Sequence, residues 1–270
     1  AAYSPVTWHV ATTGIDSAVY GSSASADSPF NTLQWAMNHL LEGDSVIIHP
    51  GNHAGSADNG GKSVHIKGNT FAPDEVSILG ELEFSGGNNS VNLLRVSNTT
   101  GDGINISAGA VSIAYVLVDN SSGKAITLST AAEAALNSIT IYGSGYGLYD
   151  NSSGSVTMVN SIVWGNTTAI DGNPVVTYSD ISSGYTGTGN IDSDPLFVDA
   201  ANGDFHLDML SPCIDAGDSS GVYDADSTVM DMGAFPRLRQ FLAGTSDDDI
   251  RISADTTVII TADFTVTTND

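Results

Sequence analysis

The sequence predicts an all-β chain wound as a parallel β-helix, a solenoid with a short N-terminal capping helix and a β-prone C-terminal tail. Three observations predict it. First, short apolar runs recur between about 60 and 190, separated by clusters of Gly, Asn, Ser and Asp. Second, the later runs start at 111, about 135, 156 and 175, a repeat of roughly 19–24 residues, which is a solenoid period. Third, nearly all the acid is Asp, a turn former, and the Glu residues are only Glu42, Glu75, Glu81, Glu83 and Glu133. A β-sandwich would show stricter alternation and two-residue turns between matched strands. Asp102-Gly103 and Asp171-Gly172 do not sit between such strands.

Residues 1–55 read as a cap and first rung. Trp8 to Ala11 is a short strand. From Ser28 to Leu41, Phe30, Leu33, Met37, Leu40 and Leu41 fall at helical spacing and make one apolar face. Ser28 is the expected N-cap, Pro29 the first helical residue, and Gly43 lies past the end. Asp44 to Gly51 reads as a buried strand ending in a turn.

Residues 56–190 read as the coils. Their runs include Val64–Ile66, Val76–Leu79, Val91–Leu94, Val111–Val118, Leu136–Ile141, Val156–Val163 and Val175–Tyr178. A lone coil has two unpaired edges, and stacking pairs them over a shared core. Seven or so coils at about 4.8 Å each would span roughly 35 Å. Residues 191–238 are Asp-rich and poor in apolar residues, an irregular segment expected to close or pack along the helix. Residues 239–270 carry the β-prone runs Ile250–Ile252, Thr257–Thr261 and Asp263–Thr267, read as a strand donor or an anchor remnant.

The chain has 270 residues with seven Lys and Arg against 31 Asp and Glu, a net charge of -24. Such a surface argues against nucleic acid, which needs basic groups to replace counterions, and against anionic lipid. It suits salty water or surface divalent cations. No apolar stretch is long enough for a membrane span. One cysteine, Cys213, excludes an intramolecular disulfide. The small residues at Ala1 and Ala2 fit a mature N-terminus after signal cleavage or simply the boundary of the fragment.

Trp8–Asp16, Ser28–Ala36 and Gly43–Gly51 resemble the opening of bacterial pectate-lyase-like β-helices. Asn160–Asn166, Gly189–Asp199, Phe205–Leu207, Ser211–Gly217 and Asp231–Phe235 resemble the closing part of the choice-of-anchor Q domain type. The resemblance covers about 1–50 and 160–236. It implies a secreted or surface-anchored bacterial right-handed β-helix and little about activity, because fold does not give function. Two departures stand out. Asp224–Met230 lacks the basic residue and glycine that family members often carry there, and a β-prone tail stands where the usual sorting domain or hydrophobic anchor would be.

The chemistry expected of such a scaffold is thin. Lyases on this fold need a basic residue as general base, with calcium or Arg to neutralise a uronate. Lys67 and Arg95 come nearest, and ordinary surface charge is the competing reading. Asp102, Asp119, Asp150, Asp171 and Asp180 sit beside turn formers, so a hydrolase pair competes with turn chemistry. Asp192, Asp194, Asp199, Asp215, Asp218, Asp224, Asp226 and Asp231 offer the hard oxygens that suit Ca2+, or else cap turns. Tyr142, Tyr146 and Tyr149 could stack on sugar rings or pack inward, and Tyr178 and Tyr185 recur in the following coils. His49 and His53 bracket a turn, a hint of a transition metal. Cys213 reads as a buried small side chain. Asn88, Asn98, Asn105, Asn120, Asn151 and Asn166 head glycosylation triplets that such a composition produces by chance. The expected roles are a structural or adhesive extracellular protein that self-associates end to end through its tail, or a polysaccharide-binding module or calcium-dependent lyase.

Overall fold

The structure is a computed structural model that describes residues 3–17, 26–98, 100–237, 239–240 and 257–258. The chain is a parallel β-solenoid with three faces. Sheet 1 stacks Thr7–Val10, Ser45–Ile48, His65–Gly68, then 88–92, 110–114, 133–137, Val156–Val159 and Val175–Thr177. Sheet 2 stacks Gly51–Ala54, Val76–Leu79, then 94–97, 116–119, Thr140–Tyr142, Ile162–Trp164 and Asp180–Ile181. Sheet 3 stacks Ala57–Asp58, then 82–85, 104–108, 124–128, Tyr146–Asp150 and Thr168–Asp171. Every pairing in these sheets is parallel.

The repeat puts like residues in register. Trp8, Val46, Ile66, Val91, Ile113, Leu136, Met158 and Val176 form one inward row of sheet 1, and each is buried. Ile78, Val96, Val118, Ile141, Val163 and Ile181 do the same in sheet 2. Burial of one such aliphatic side chain contributes about 1.5–3 kcal/mol. Stacking therefore turns many weak rungs into one core. Polar side chains line the corners in matching stacks. Asn59 Nδ2 donates to Asn89 Oδ1 at 3.1 Å, and Ser161 N to Ser179 Oγ at 3.1 Å.

The corner between sheets 1 and 2 is a column of left-handed residues: Leu93, Tyr115, Ser138, Asn160 and Tyr178, with φ of 48–56°. A single αL residue turns the chain sharply enough for the next strand to start at once. The apolar runs 91–94, 111–118 and 156–163 are therefore each two strands meeting at a corner.

Both ends are covered. The N-terminal cap is the helix α1, Leu33–His39, which buries Leu33, Ala36 and Met37. The sequence expectation placed its N-cap at Ser28; the structure places it at Thr32, whose hydroxyl accepts from Trp35 N at 3.3 Å. Asp16 takes the competing donors, Asn31 N and Thr32 N, and so fixes an extended entry. Phe30 bridges to Val10 and stacks on Trp8 instead of opening the helix. Asp44 ties the cap together as a fully buried carboxylate that accepts from Tyr3 OH, Val6 N, Trp8 Nε1 and Leu41 N. At the other end the loop 182–190 closes the stack. Tyr185 packs against the core and donates to Pro174 O at 3.2 Å, while Asn190 Nδ2 donates to Val176 O at 3.0 Å.

The tail expected to donate a strand lies largely outside the described residues. Arg239–Gln240 pairs in parallel with Thr257–Val258, separately from the solenoid sheets.

Candidate functional site

Strand alternation gives each sheet an outward row, and the rows differ in what covers them. In sheet 2 the outward row is Arg95, Leu117, Thr140, Ile162 and Asp180, and the last four are buried. The closing segment covers them as a strap. Phe205, Ala234 and Phe235 pack on Leu117, with Tyr142 and Phe197 beside them. Leu207, Cys213 and Met232 pack on Ile162. Gly233 makes the close approach possible: its φ is 99°, and a Cβ there would meet Ile162 Cδ1 at 2.8 Å. Ala234 N donates to Thr140 Oγ1 at 2.9 Å, and Gly233 N to Asn160 O at 2.8 Å. Asn160 also accepts from Asp218 N at 2.7 Å through its side chain. The stretches 160–166, 211–217 and 231–235 thus meet on one face.

The strap buries three carboxyls. Asp231 accepts from Asp215 N at 2.7 Å and Arg237 N at 2.5 Å, and Asp224 accepts from Asp231 N at 3.0 Å. Burial pushes Asp231 up to about 7 and Asp224 up to about 6, against the pull of those backbone donors. Asp180 is raised to about 6, again first by burial, and accepts from Cys213 Sγ at 3.2 Å. Burial and the neighbouring Asp180 push the Cys213 thiol far up, so it is no nucleophile. A thiol reagent is expected to leave native protein unlabelled and to label one site after urea unfolding; rapid native labelling would contradict this packing.

Of the eight Asp residues expected to suit calcium, Asp224 and Asp231 are the buried strap carboxyls, and five others accept hydrogen bonds close by in the chain. Asp192 accepts from Ser183 N, Asp194 from Leu196 N, Asp199 from Asn202 Nδ2, Asp218 from Ser220 N, and Asp226 from Thr228 N. Asp215 donates its backbone N–H to Asp231. Among the described residues no group of three or more His, Cys, Asp or Glu is arranged to hold a metal ion.

Lys67 and Arg95 do not come together. Lys67 is exposed on sheet 1, in register with Asn92, while Arg95 follows the corner on sheet 2. Arg95 forms a two-pronged pair with Asp119, Nε to Oδ1 at 2.7 Å and Nη2 to Oδ2 at 2.5 Å. The Asp119 side chain is 0% exposed, and Gly203 of the strap lies beside the guanidinium. Asp119 is thus held by Arg95. Asp102 accepts from Lys124 N of the next coil, and Asp150 from Ser152 N in a local turn.

The tyrosines separate too. Tyr142 lies under the strap, 5.0 Å from Phe205 and 5.9 Å from Phe197 between ring centroids. Tyr149 lies on sheet 3 with Lys124 Nζ 4.1 Å from its ring centroid. Tyr146, edge-on to Tyr149, stays exposed. His53 points into the core at 4% exposure and its Nε2 meets His49 O at 2.8 Å.

Among the described residues the outer face of sheet 1 is exposed at Ser112, Ala135 and Thr157. Its outward row Ser90, Ser112, Ala135 and Thr157 carries small side chains in register. A groove of about 270 Å³ crosses these rungs, with Asn88, Ser112, Glu133, Ser155 and Thr157 on its walls and Ala110, Ala134 and Ala135 among its lining. Its chemistry is amide, hydroxyl and methyl, with one carboxylate and no cation. The sequence reading missed it, although the spacing of Ser112 and Thr157 against the repeat carried the signal.

Among the described residues, fold and site together define an acidic parallel β-solenoid whose sheet 2 is strapped and whose sheet 1 is exposed. No protein-family model matches the chain, and no curated protein does. Among solved structures, the crystal structure of pectate lyase Pel9A is similar over 87% of this chain and 97% of that one, at 13% identity and a TM-score of 0.39. A likeness that distant says nothing about chemistry.

Proposed function

We propose that this chain is the rigid body of a secreted or cell-surface adhesive protein that holds a neutral polysaccharide along sheet 1 without cleaving it. The observation that carries this is the open groove, where the Asn88 amide and the Ser112, Ser155 and Thr157 hydroxyls stand beside a mostly apolar lining, a mixture that suits the polar rim and apolar face of a sugar ring. Its one charged group, Glu133, disfavours a polyanion. Arg95 is already neutralised by Asp119, which removes it as a base or a uronate clamp. The choice-of-anchor Q reading draws support from the way its closing stretches converge on Asn160. A filament joined end to end is a weaker reading, because α1 and the Tyr185 loop cover both ends of the core.

The test is isothermal titration of the full chain with a panel of neutral and uronate polysaccharides, with and without chelator, beside an absorbance assay for unsaturated product. Binding of a neutral polymer is expected, weakened at least about tenfold by Ala135→Trp, a filled groove worth more than about 1.4 kcal/mol. Unsaturated product from any uronate would overturn the non-cleaving reading. Binding lost in chelator would return calcium to the site.

A further inference from the structure

We propose that His9 and His49 form a chelating pair for a divalent transition-metal ion, copper(II) above all, at the edge of sheet 1. His9 lies on the first strand, Thr7–Val10, and His49 follows the second, Ser45–Ile48. The two strands pair in parallel, so both rings stand at one corner of the first coil. His9 Nδ1 and His49 Nε2 are 3.0 Å apart, with ring centroids 5.2 Å apart. Both residues are half-buried, so each ring is held from below and open to water above.

The spacing suits neighbouring ligands of one ion. Metal–imidazole bonds of about 2.0–2.1 Å spanning 3.0 Å subtend about 95° at the ion. That is the angle between adjacent ligands in square-planar or tetragonal coordination, the preference of copper(II) and nickel(II). A tetrahedral ion with the same bonds would need the nitrogens about 3.3–3.4 Å apart. Water would fill the remaining positions.

The surroundings agree. In the metal-free state one ring N–H bridges the two nitrogens, and a metal ion replaces that single proton. Asn69 Nδ2 lies 3.4 Å from His49 Nδ1. Because the amide can present either oxygen or nitrogen, its oxygen can accept the Nδ1 proton that a metal-bound Nε2 tautomer requires. Lys67, the cation in the same outward row, is separated from His9 by Ile47, two strand spacings or about 9.6 Å away. The net charge of -24 raises the local concentration of any cation.

The experiment is titration of the purified chain with copper(II) chloride, followed by calorimetry and electron paramagnetic resonance. Saturated wild-type protein is expected to show two equatorial nitrogens. His9→Asn and His49→Asn are each expected to weaken binding at least about tenfold, whereas His65→Asn, on the same sheet, leaves it unchanged; thermal melts confirm that each variant is folded. An oxygen-only signal from wild type would overturn the assignment without any variant. So would copper binding that survives both substitutions, or that is lost in His65→Asn.

Discussion

Replacing Arg95 with alanine is expected to lower the unfolding free energy by about 3–5 kcal/mol, the usual cost of leaving a buried charge without its partner. Asp119 is fully buried and receives two of its strongest hydrogen bonds from Arg95; Asn120 Nδ2 supplies a third at 2.6 Å. The strap lies beside the guanidinium, so the stranded carboxylate has little route to water. Removing both charges should behave differently. Arg95→Met with Asp119→Leu is expected to lie within about 1–2 kcal/mol of wild type, because an apolar pair of similar bulk avoids the desolvation cost of the ions. Urea unfolding of wild type, Arg95→Met, Asp119→Leu and the double variant in a double-mutant cycle, with Arg95→Ala beside them, measures this. A small loss in Arg95→Ala would mean that the pair is hydrated in solution. The same variant bears on function: glycan affinity at a temperature where it remains folded should be unchanged if binding is on sheet 1.

The solenoid was legible because its cause is local and repeated. Inward aliphatic residues recur once per coil in each sheet, and a period of that length leaves few alternatives. The corners were not legible. Val111 to Val118 reads as one strand, yet Tyr115 takes φ 53° in its middle. Tyrosine has no intrinsic preference for that region, and the turn is enforced by the rungs stacked on either side. The helix was recognisable from its apolar face, but its start depended on Asp16, a residue distant in sequence that claims the backbone donors ahead of Thr32.

The site was less legible than the fold for a related reason. Side chains called polar or aromatic from sequence acquire a role only from what lies above them. Tyr142 and Tyr146 are four residues apart, yet one is under the strap and the other is exposed. The Asp-rich segment was expected to close or pack along the helix, but with apolar residues sparse there nothing in the sequence marked which acids it buries. Some of the apolar residues it has, Phe205, Leu207, Met232 and Phe235, pack on sheet 2, and Asp231 goes down with them.

That burial makes the strap sensitive to pH in a direction opposite to ordinary acid denaturation. Asp180, Asp224 and Asp231 have folded values of about 6, 6 and 7 against an ordinary 3.8. Between those limits the folded chain binds more protons than the unfolded chain. The stabilisation is complete below about pH 4 and is lost as pH rises through 6 to 7. Other groups pull the opposite way. Asp44 is lowered, because its four donors outweigh burial, and its contribution is lost as pH falls below the ordinary carboxylate range. His9 and His53 are lowered first by burial, and theirs is lost as pH falls below 6.5. A raw profile mixes these, so the informative quantity is a difference. Asp231→Asn keeps one acceptor for the two backbone donors and removes the titration. It should cost a constant amount for the lost bond, on the order of 1–3 kcal/mol. Beyond that constant, wild type should lose stability relative to the variant by on the order of 1.4 kcal/mol per pH unit between about pH 4 and 7. Urea unfolding across that range reads the slope directly, and protease sensitivity of the 191–237 segment should rise with it. Parallel curves for the two proteins would mean that Asp231 titrates as if exposed, and that the strap is not seated on sheet 2 as described.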